Sequence, residues 1–415
     1  MSENVNMLDR IKKLTNSEEK RRLLSNFFSL SILQGANYVL PLITLPYLVR
    51  VLGPEKYGLI AFAQAFVQYF NILTDYGFNL SATREISIYR DDLQKVSEIF
   101  SSVMVIKFGL LVLSLAIMSV LVFSFWKFRQ DWLVYYLTFG TVIGQVLFPV
   151  WFFQGMEKMK YITLLNITAK LIFTFAIFIF VRQASDFIYV PFLNFLGFLI
   201  AGVMALWIIF KDFGIGFRVP SLTSVSHQLK EGWYVFISTI AISLYTVSNA
   251  FFLGLLTNNT TVGFYSAAEK VVRAIQGLWT PFSQAIYPMF SKLYHENKIR
   301  AKYLLKKMLL LAGCFTLFLS LGGFIFSPLI VKLFFGKEFY NSIDIMRILM
   351  FIIFAIGINN ILGIQGLIAF GYAKEFTLTV FIASLTHIVL LIIFIPLWSG
   401  IGVAIATLCT EFLII

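Results

Sequence analysis

Charge is what this chain has least of. Only 13% of its 415 residues are Asp, Glu, Lys or Arg, 59% are hydrophobic, and the mean hydropathy is +0.84. Soluble domains carry about 25% charged residues, and so few charges cannot coat a core of this size. The shortage excludes a soluble globular protein and leaves an integral membrane protein. Cysteine is scarce too. Cys314 and Cys409 both fall inside apolar runs, which excludes a disulfide framework and a thiolate metal site. The three histidines, His227, His295 and His387, have no neighbours spaced for a metal or a catalytic triad, so each reads as structural. A net charge of +12 raises nucleic acid as a partner, but the basic residues gather in loops between apolar runs, as membrane topology requires. No cofactor is implied. No cleavable signal peptide is visible either, because the first apolar run starts near Asn26, after a polar stretch too long for an n-region.

Twelve hydrophobic segments can be drawn, at about 26–49, 58–80, 101–123, 132–153, 161–181, 188–210, 233–256, 262–290, 308–331, 345–370, 376–398 and 400–415. Each is near the roughly 20 residues that a helix needs to cross a bilayer. With the N-terminus inside, the inner loops hold 21 Lys and Arg and the outer loops 7, which sets both termini in the cytoplasm. The expected organisation is a basic cytoplasmic tail (1–25), a first lobe of six helices (26–210), a cytoplasmic loop rich in Gly, Pro and Ser (211–232) and a second lobe (233–415). Within the tail, Leu8, Ile11 and Leu14 share a face that would suit a helix lying on anionic lipid.

Segment 2 contains "QAFVQYFNILTD" (64–75), in which Gln64, Gln68, Asn71 and Asp75 step by four, three and four and so form one polar stripe. Setting Gly58 against Gly263 brings Gln64 onto Glu269, Gln68 onto Arg273, Asn71 onto Gln276 and Asp75 onto Thr280, and the second stripe extends through Ser266 and Ser283. A second pair agrees: Gly155, Lys158 and Thr163 fall on Gly371, Lys374 and Thr379. Two six-helix halves in parallel orientation, related by an axis normal to the membrane, follow from this repeat. Their stripes are expected to meet in one central cavity.

Charges also sit at membrane depth. Segment 5 carries Thr163, Asn166, Lys170 and Thr174 on one face, segment 3 carries Lys107, and segment 8 carries Arg273 about ten residues inside its outer boundary. Each such charge costs about 2.5–3.5 kcal/mol at the bilayer centre, so all three are expected to face a cavity or a partner. Glu269 and Arg273, four apart, could neutralise one another. Lys170 could reach a carbonyl or Asp75, and Lys107 could snorkel to the inner surface. A basic cavity would suit an anionic cargo such as a phosphate or diphosphate. Pro41 and Pro46 in segment 1 and Pro281 and Pro288 in segment 8 mark bends or hinges. Trp126, Trp132, Trp233 and Trp398, near segment ends, read as interface anchors.

The stretches "LPYLVRVLGPEKYGL" (45–59), "DYGFNLSATREIS" (75–87), "YSAAEKVVRAIQGL" (265–278) and "GKEFYNSIDIMRIL" (336–349) resemble the signature regions of Wzx-type O-antigen flippases. These belong to the polysaccharide-transporter branch of the MATE-like superfamily. The resemblance implies an all-α transporter and no enzyme. Its partner would be a membrane lipid-linked oligosaccharide, carried as undecaprenyl diphosphate from the cytoplasmic to the periplasmic leaflet of a bacterial inner membrane. Bilayer lipids and the polysaccharide polymerase machinery would be its other partners. On that basis Arg50, Arg84, Lys107, Lys170, Arg273 and Arg347 become candidate substrate contacts, with Gln64, Gln68, Asn71 and Gln276 from the stripes. Arg84 and Glu85 would stand at the inner mouth, and Arg50 and Arg347 near the outer exit. Asp75 and Glu269 become the candidate ion-coupling groups. The nearest rival is a cation-coupled multidrug exporter of the same superfamily, weakened by the absence of a carboxylate in 26–49. A flippase for peptidoglycan precursor would typically need fourteen spans. A membrane polymerase would need a long periplasmic loop, and every outer loop here is short.

Overall fold

In the computed structural model, residues 18–277 and 279–415 are described; they are almost wholly helical and contain no strand. The expectation for the leader face at Leu8, Ile11 and Leu14 lies outside the described residues. Helix is what hydrocarbon demands, because each backbone N–H and C=O must find its partner within its own segment.

The first element, α1 (Glu18–Asp75), is 58 residues long. A straight rod of that length would extend about 87 Å. Yet Asn26, near its start, donates to the Glu157 carbonyl at 3.1 Å, and Arg90, just beyond α2 (Phe78–Tyr89), pairs with the Glu157 carboxylate at 3.0 Å. Both ends of the run meet one residue, so the chain goes out and comes back. The reversal is at Gly53, the one non-helical residue inside α1, with φ 69°. This left-handed backbone favours glycine, and Pro54 then occupies a first helical position, where its missing N–H is no loss. Pro41 and Pro46 leave the outgoing limb helical, and the chain reverses at Gly53.

Next come α3 (Leu93–Ser124), whose N-terminal amides at Gln94 and Lys95 are capped by the Asp92 carboxylate, then α4 (Trp126–Arg129), α5 (Trp132–Leu147), α6 (Val150–Gly155), α7 (Met159–Phe180) and α8 (Tyr189–Asp212). Residues 213–221 are non-helical. Then α9 (Leu222–Thr246) bends by 55° into α10 (Ser248–Leu256). The expected loop at 211–232 is thus half helix. After it follow α11 (Asn259–Gly277), α12 (Trp279–Glu296), α13 (Lys298–Ile330) and α14 (Ser342–Asn359), the last continued by a π-helical stretch at Asn360–Ile368. The final element, α15 (Ala373–Ile414), doubles back at Ser399 (φ 54°), which lets His387 on one limb bond Thr410 on the other.

Among the described residues, eight helical runs are long and apolar enough to cross a membrane, or nine with the bent α9–α10 pair. Two of the eight, α1–α2 and α15, contain the reversals just described. The polar α11–α12 run is not among them, but it lies beside α14. Ser342 donates to the Phe264 carbonyl, Gln365 to that of Ser283 and Ser291 to that of Ala369. Side chains such as Val112, Phe175 and Phe318 are more than 60% exposed, a cost in water but the ordinary state against lipid. The four tryptophans read as anchors are all exposed.

The first half of the chain (18–212) meets the second (222–415) along the return limb of α1 and α11. A Cβ on Gly58 would fall 1.7 Å from the Asn259 carbonyl oxygen, and one on Gly263 would fall 2.0 Å from that of Pro54. Asn259 and Pro54 are related by the same sequence offset as Gly263 and Gly58. Each half therefore presents the same glycine to the same position of its counterpart. Reciprocal contacts of this kind are what a local two-fold axis produces. Below the crossing, Phe62 and Phe66 of α1 stack on Phe251 of α10 at 6.1 Å between ring centres.

Candidate functional site

The polar stripe of α1 does face a cavity. Gln64, Gln68 and Asn71 line a space of about 370 Å3 closed by α5, α7, α8 and the outgoing limb of α1. Thr44, Thr138, Thr141, Gln145, Thr174 and Asn194 add hydroxyls and amides to its wall. Two cations complete it, Lys170 and Lys270, and no carboxylate is among its described lining residues. The Lys170 ammonium donates to Asn37 Oδ1 at 2.5 Å, so it is oriented by a neutral acceptor, and among the described residues no carboxylate lines the space with it. Lys270 arrives from α11, in the other half of the chain, and its ammonium rests over the Tyr57 ring at 5.3 Å from the centre.

The second stripe lines a different cavity. Glu269, Arg273 and Gln276 surround about 150 Å3 together with Thr246, Asn249, Tyr265, Thr407 and Glu411. The expected single shared cavity is therefore two, one in each half. The glycine crossing brings the return limb of α1 into contact with α11, and the aromatic stack packs the same limb against α10. Electrostatically the two spaces differ. Arg273 is held at 2.8 Å by Glu269 and also donates to the Thr246 carbonyl, and two carboxylates line its cavity.

The remaining candidates are dispersed. Lys107, only 6% exposed at its side chain, pairs with Asp75 at 3.9 Å. Asp75 thereby leaves the stripe that Gln64, Gln68 and Asn71 continue into the first cavity. Thr163 and Asn166 are likewise spent on structure: Thr163 donates to the Ser29 carbonyl and Asn166 to that of Ile162. Arg84 lies 3.7 Å from Glu231, while Glu85 bonds both His227, at 2.6 Å, and Gln228. Arg50 donates to the Leu333 carbonyl. Arg347 pairs with Asp344 at 3.2 Å and stacks over Phe324. None of these arginines reaches either cavity.

Lys270 and Glu411 were not singled out from the sequence. Glu411 is 5% exposed and accepts from Asn359 at 2.7 Å. A lone carboxylate inside an apolar run is itself a signal, and position 411 carried it. Lys270 lies off the phase of its stripe and follows Glu269 directly, so periodicity hides it; only the crossing of α11 over α1 delivers it to the opposite cavity.

Residues 23–294 match the family model for "Polysaccharide biosynthesis protein". A protein of Escherichia coli (strain K12) carrying the name "Putative O-antigen transporter" is 37% identical over 95% of both chains, and a namesake from Shigella dysenteriae is 28% identical over 94% of this chain and 97% of its own. Among solved structures, the lipid II flippase MurJ in an inward closed conformation superposes with a TM-score of 0.70 at 16% identity, covering 94% of this chain and 86% of that one. An inward-facing multidrug resistance MATE family transporter of the MOP superfamily gives 0.69 at 14% identity, covering 93% and 96%. These two likenesses establish the fold.

Proposed function

The chain belongs to the polysaccharide biosynthesis protein family, and from that premise we propose that it is a flippase for a lipid-linked oligosaccharide, the repeat unit of an O-antigen or related surface polysaccharide. It is a transporter and not an enzyme. The carrier is undecaprenyl diphosphate, and the unit passes from the cytoplasmic to the periplasmic leaflet of a bacterial inner membrane. The two six-helix lobes and the cytoplasmic placement of both termini are parts of the same proposal.

One observation carries this reading: among the described residues, the cavity in the first half is lined by two lysines, amides and hydroxyls, and by no carboxylate. A diphosphate is a compact dianion. Ammonium groups serve it as point charges with three donors each, and the amides of Gln64, Gln68, Asn71, Gln145 and Asn194 are suited to phosphate oxygens and sugar hydroxyls. Lys170 and Lys270 come from different halves of the chain. A bound dianion would draw both toward itself and so favour whichever arrangement of the halves brings them together, which is how a cargo biases an alternating-access equilibrium. The rival reading, a cation-coupled multidrug exporter of the same fold, gains no support from this cavity, whose described lining offers two ammonium groups and no carboxylate to hold a coupling cation.

The test is complementation of a flippase-null strain, scored for surface polysaccharide and for lipid-linked units trapped on the inner leaflet. The wild type restores polysaccharide. K170Q and K270Q each reduce it at least tenfold while inserting at normal levels, and the trapped intermediate accumulates. Full polysaccharide from a well-expressed K170Q/K270Q double variant would refute the anionic-cargo reading.

A further inference from the structure

The first cavity is elongated, and its two lysines stand at opposite ends. Three hydrogen bonds join the outgoing limb of α1 to α7 and the residue after it: Thr163 donates to the Ser29 carbonyl, Lys170 to Asn37, and Tyr47 to the Val181 carbonyl. The partners are 134, 133 and 134 residues apart in the chain, so the two helices run side by side, in one direction and in step. Lys170 therefore shares the level of Asn37, sixteen residues or about 24 Å from the reversal at Gly53. The Lys270 ammonium rests on the Tyr57 ring, only four residues or about 6 Å beyond that reversal on the return limb. Along the limbs the two ammonium groups are thus roughly 18 Å apart. The wall agrees, since the α1 residues that line the cavity extend from Leu52 and Tyr57 to Leu40 and Asn71. A diphosphate is far shorter, and in this arrangement of the halves it cannot touch both lysines.

The two ends are built differently. Lys170 has Asn37 as its acceptor, and Gln68 and Asn71 stand at its level on the return limb. Lys270 stands among Leu48, Leu52 and Ile60, and its contact there is the face of the Tyr57 ring. No carboxylate among the described residues pairs with it, and Glu269, its neighbour in the chain, is engaged by Arg273. Tyr57 is 3% exposed, and its hydroxyl has no hydrogen-bond partner among the described residues. An ammonium held only by a ring face and a buried hydroxyl that bonds nothing both cost stability. Nor does the fold call for either. The repeat that pairs Gly58 with Gly263 sets Ala65 against Lys270 and Val262 against Tyr57. One anionic group placed between them would satisfy both.

We propose that Lys270 and the Tyr57 hydroxyl form a second anion site, at the opposite end of the cavity from Lys170, for a phosphoryl or carboxylate group. The anion draws the ammonium off the ring and accepts a hydrogen bond from each of the two. Tyr57 belongs to the first half and Lys270 to the second, and the Tyr57 ring packs edge-on against Phe339 of the second half, with 6.3 Å between ring centres. The hydroxyl is closed off in this arrangement. Filling the site therefore requires the halves to shift at this boundary, which ties its occupancy to their arrangement. How the site is used rests on the flippase reading; that it binds anions does not. With both termini cytoplasmic, the reversal at Gly53 faces the periplasm, and this is the last site that the cargo meets. Its ligand is then either the carrier diphosphate after it has left Lys170, or an acidic sugar of the repeat unit while the diphosphate is still there.

The test replaces Tyr57 by 3-fluorotyrosine in the full chain, held in nanodiscs of zwitterionic phosphatidylcholine, and follows the fluorine signal by NMR. Inorganic diphosphate and glucuronate are the two probes. At least one of them should move the signal to saturation, with an apparent affinity that falls at least fivefold in K270Q and changes less than twofold in K170Q. Tighter binding of diphosphate identifies the carrier group as the ligand, and tighter binding of glucuronate identifies an acidic sugar. A signal that neither probe moves, or one that K170Q weakens as much as K270Q does, would overturn the proposal. Because the hydroxyl bonds nothing, Y57F should fold as well as the wild type. In a flippase-null strain it should yield at least threefold less surface polysaccharide than the wild type, and equal output would overturn the site's role in transport. If the titration succeeds but the wild type fails to complement that strain, the anion site stands and the flippase reading falls.

Discussion

The Lys107–Asp75 pair allows the sharpest quantitative expectation, because its two members are buried unequally. Lys107 is 6% exposed at its side chain and Asp75 24%, with 3.9 Å between the charges. At an effective dielectric of about 20, two charges at that distance attract by about 4 kcal/mol. Removing one partner of a buried pair typically costs about 3–5 kcal/mol, because the other charge is stranded. The two removals should not cost the same. In K107M, Asp75 keeps bonds from the Asn79 side chain and the Gly77 amide and keeps some access to water. About 2–3 kcal/mol is therefore expected. In D75N, the ammonium of Lys107 is left buried without its counter-charge, and about 4–5 kcal/mol is expected. The double variant D75N/K107M strands nothing and should lie within about 1.5 kcal/mol of the wild type. The measurement is a double-mutant cycle on unfolding of the purified protein in mixed micelles, with surface polysaccharide scored in parallel. A K107M variant as damaged as D75N, or a double variant no better than the worse single one, would refute the argument. Polysaccharide lost in a double variant of wild-type stability would show that the pair serves the cargo.

Further outcomes follow from the same geometry. G58A and G263A each force two backbones apart, so each should lower stability by about 1–3 kcal/mol despite alanine's better helix propensity. Since the two contacts are reciprocal, the losses should be similar and less than additive when combined; a melting curve unchanged by either would contradict the crossing. Lys127 donates to the carbonyls of Gly254 and Thr257 at the C-terminal end of α10, and K127M should cost about 1–2 kcal/mol, read as earlier thermal unfolding. R273Q leaves Glu269 without its cation, so its main effect should be a loss of folded protein, whereas K170Q and K270Q should fold normally and fail in transport. Intact folding with lost transport in R273Q would instead return that arginine to the cargo path.

Much of this protein could be read from order and spacing alone. Low charge and long apolar runs dictate a helical membrane protein, since no other backbone conformation satisfies itself in hydrocarbon without a closed sheet. The period of the stripe put Gln64, Gln68 and Asn71 on one face, and that face does line a cavity with Lys170. The pairing of Glu269 with Arg273 was legible as well, because i, i+4 neighbours meet on any helix. The match of Gly58 to Gly263 set the register of the repeat, and in the fold those two glycines lie where the halves cross.

Partner choice between distant segments is a different matter. Lys107 and Lys170 each had several candidate acceptors, and only packing decided that one meets Asp75 and the other Asn37. The expectation of one shared cavity failed for a related reason: period fixes which face of a helix is polar but not how closely two such helices approach. Lys270 sits in the opposite half's cavity because α11 crosses α1 at two glycines, and His387 meets Thr410 because α15 folds back at Ser399. Sequence by itself determined the solvent, the secondary structure and the polar faces, all of which follow from local residue order. Tertiary structure alone decided which buried charges are neutralised and which remain available, since electrostatic energy at membrane depth depends on distances that close only when the chain is folded.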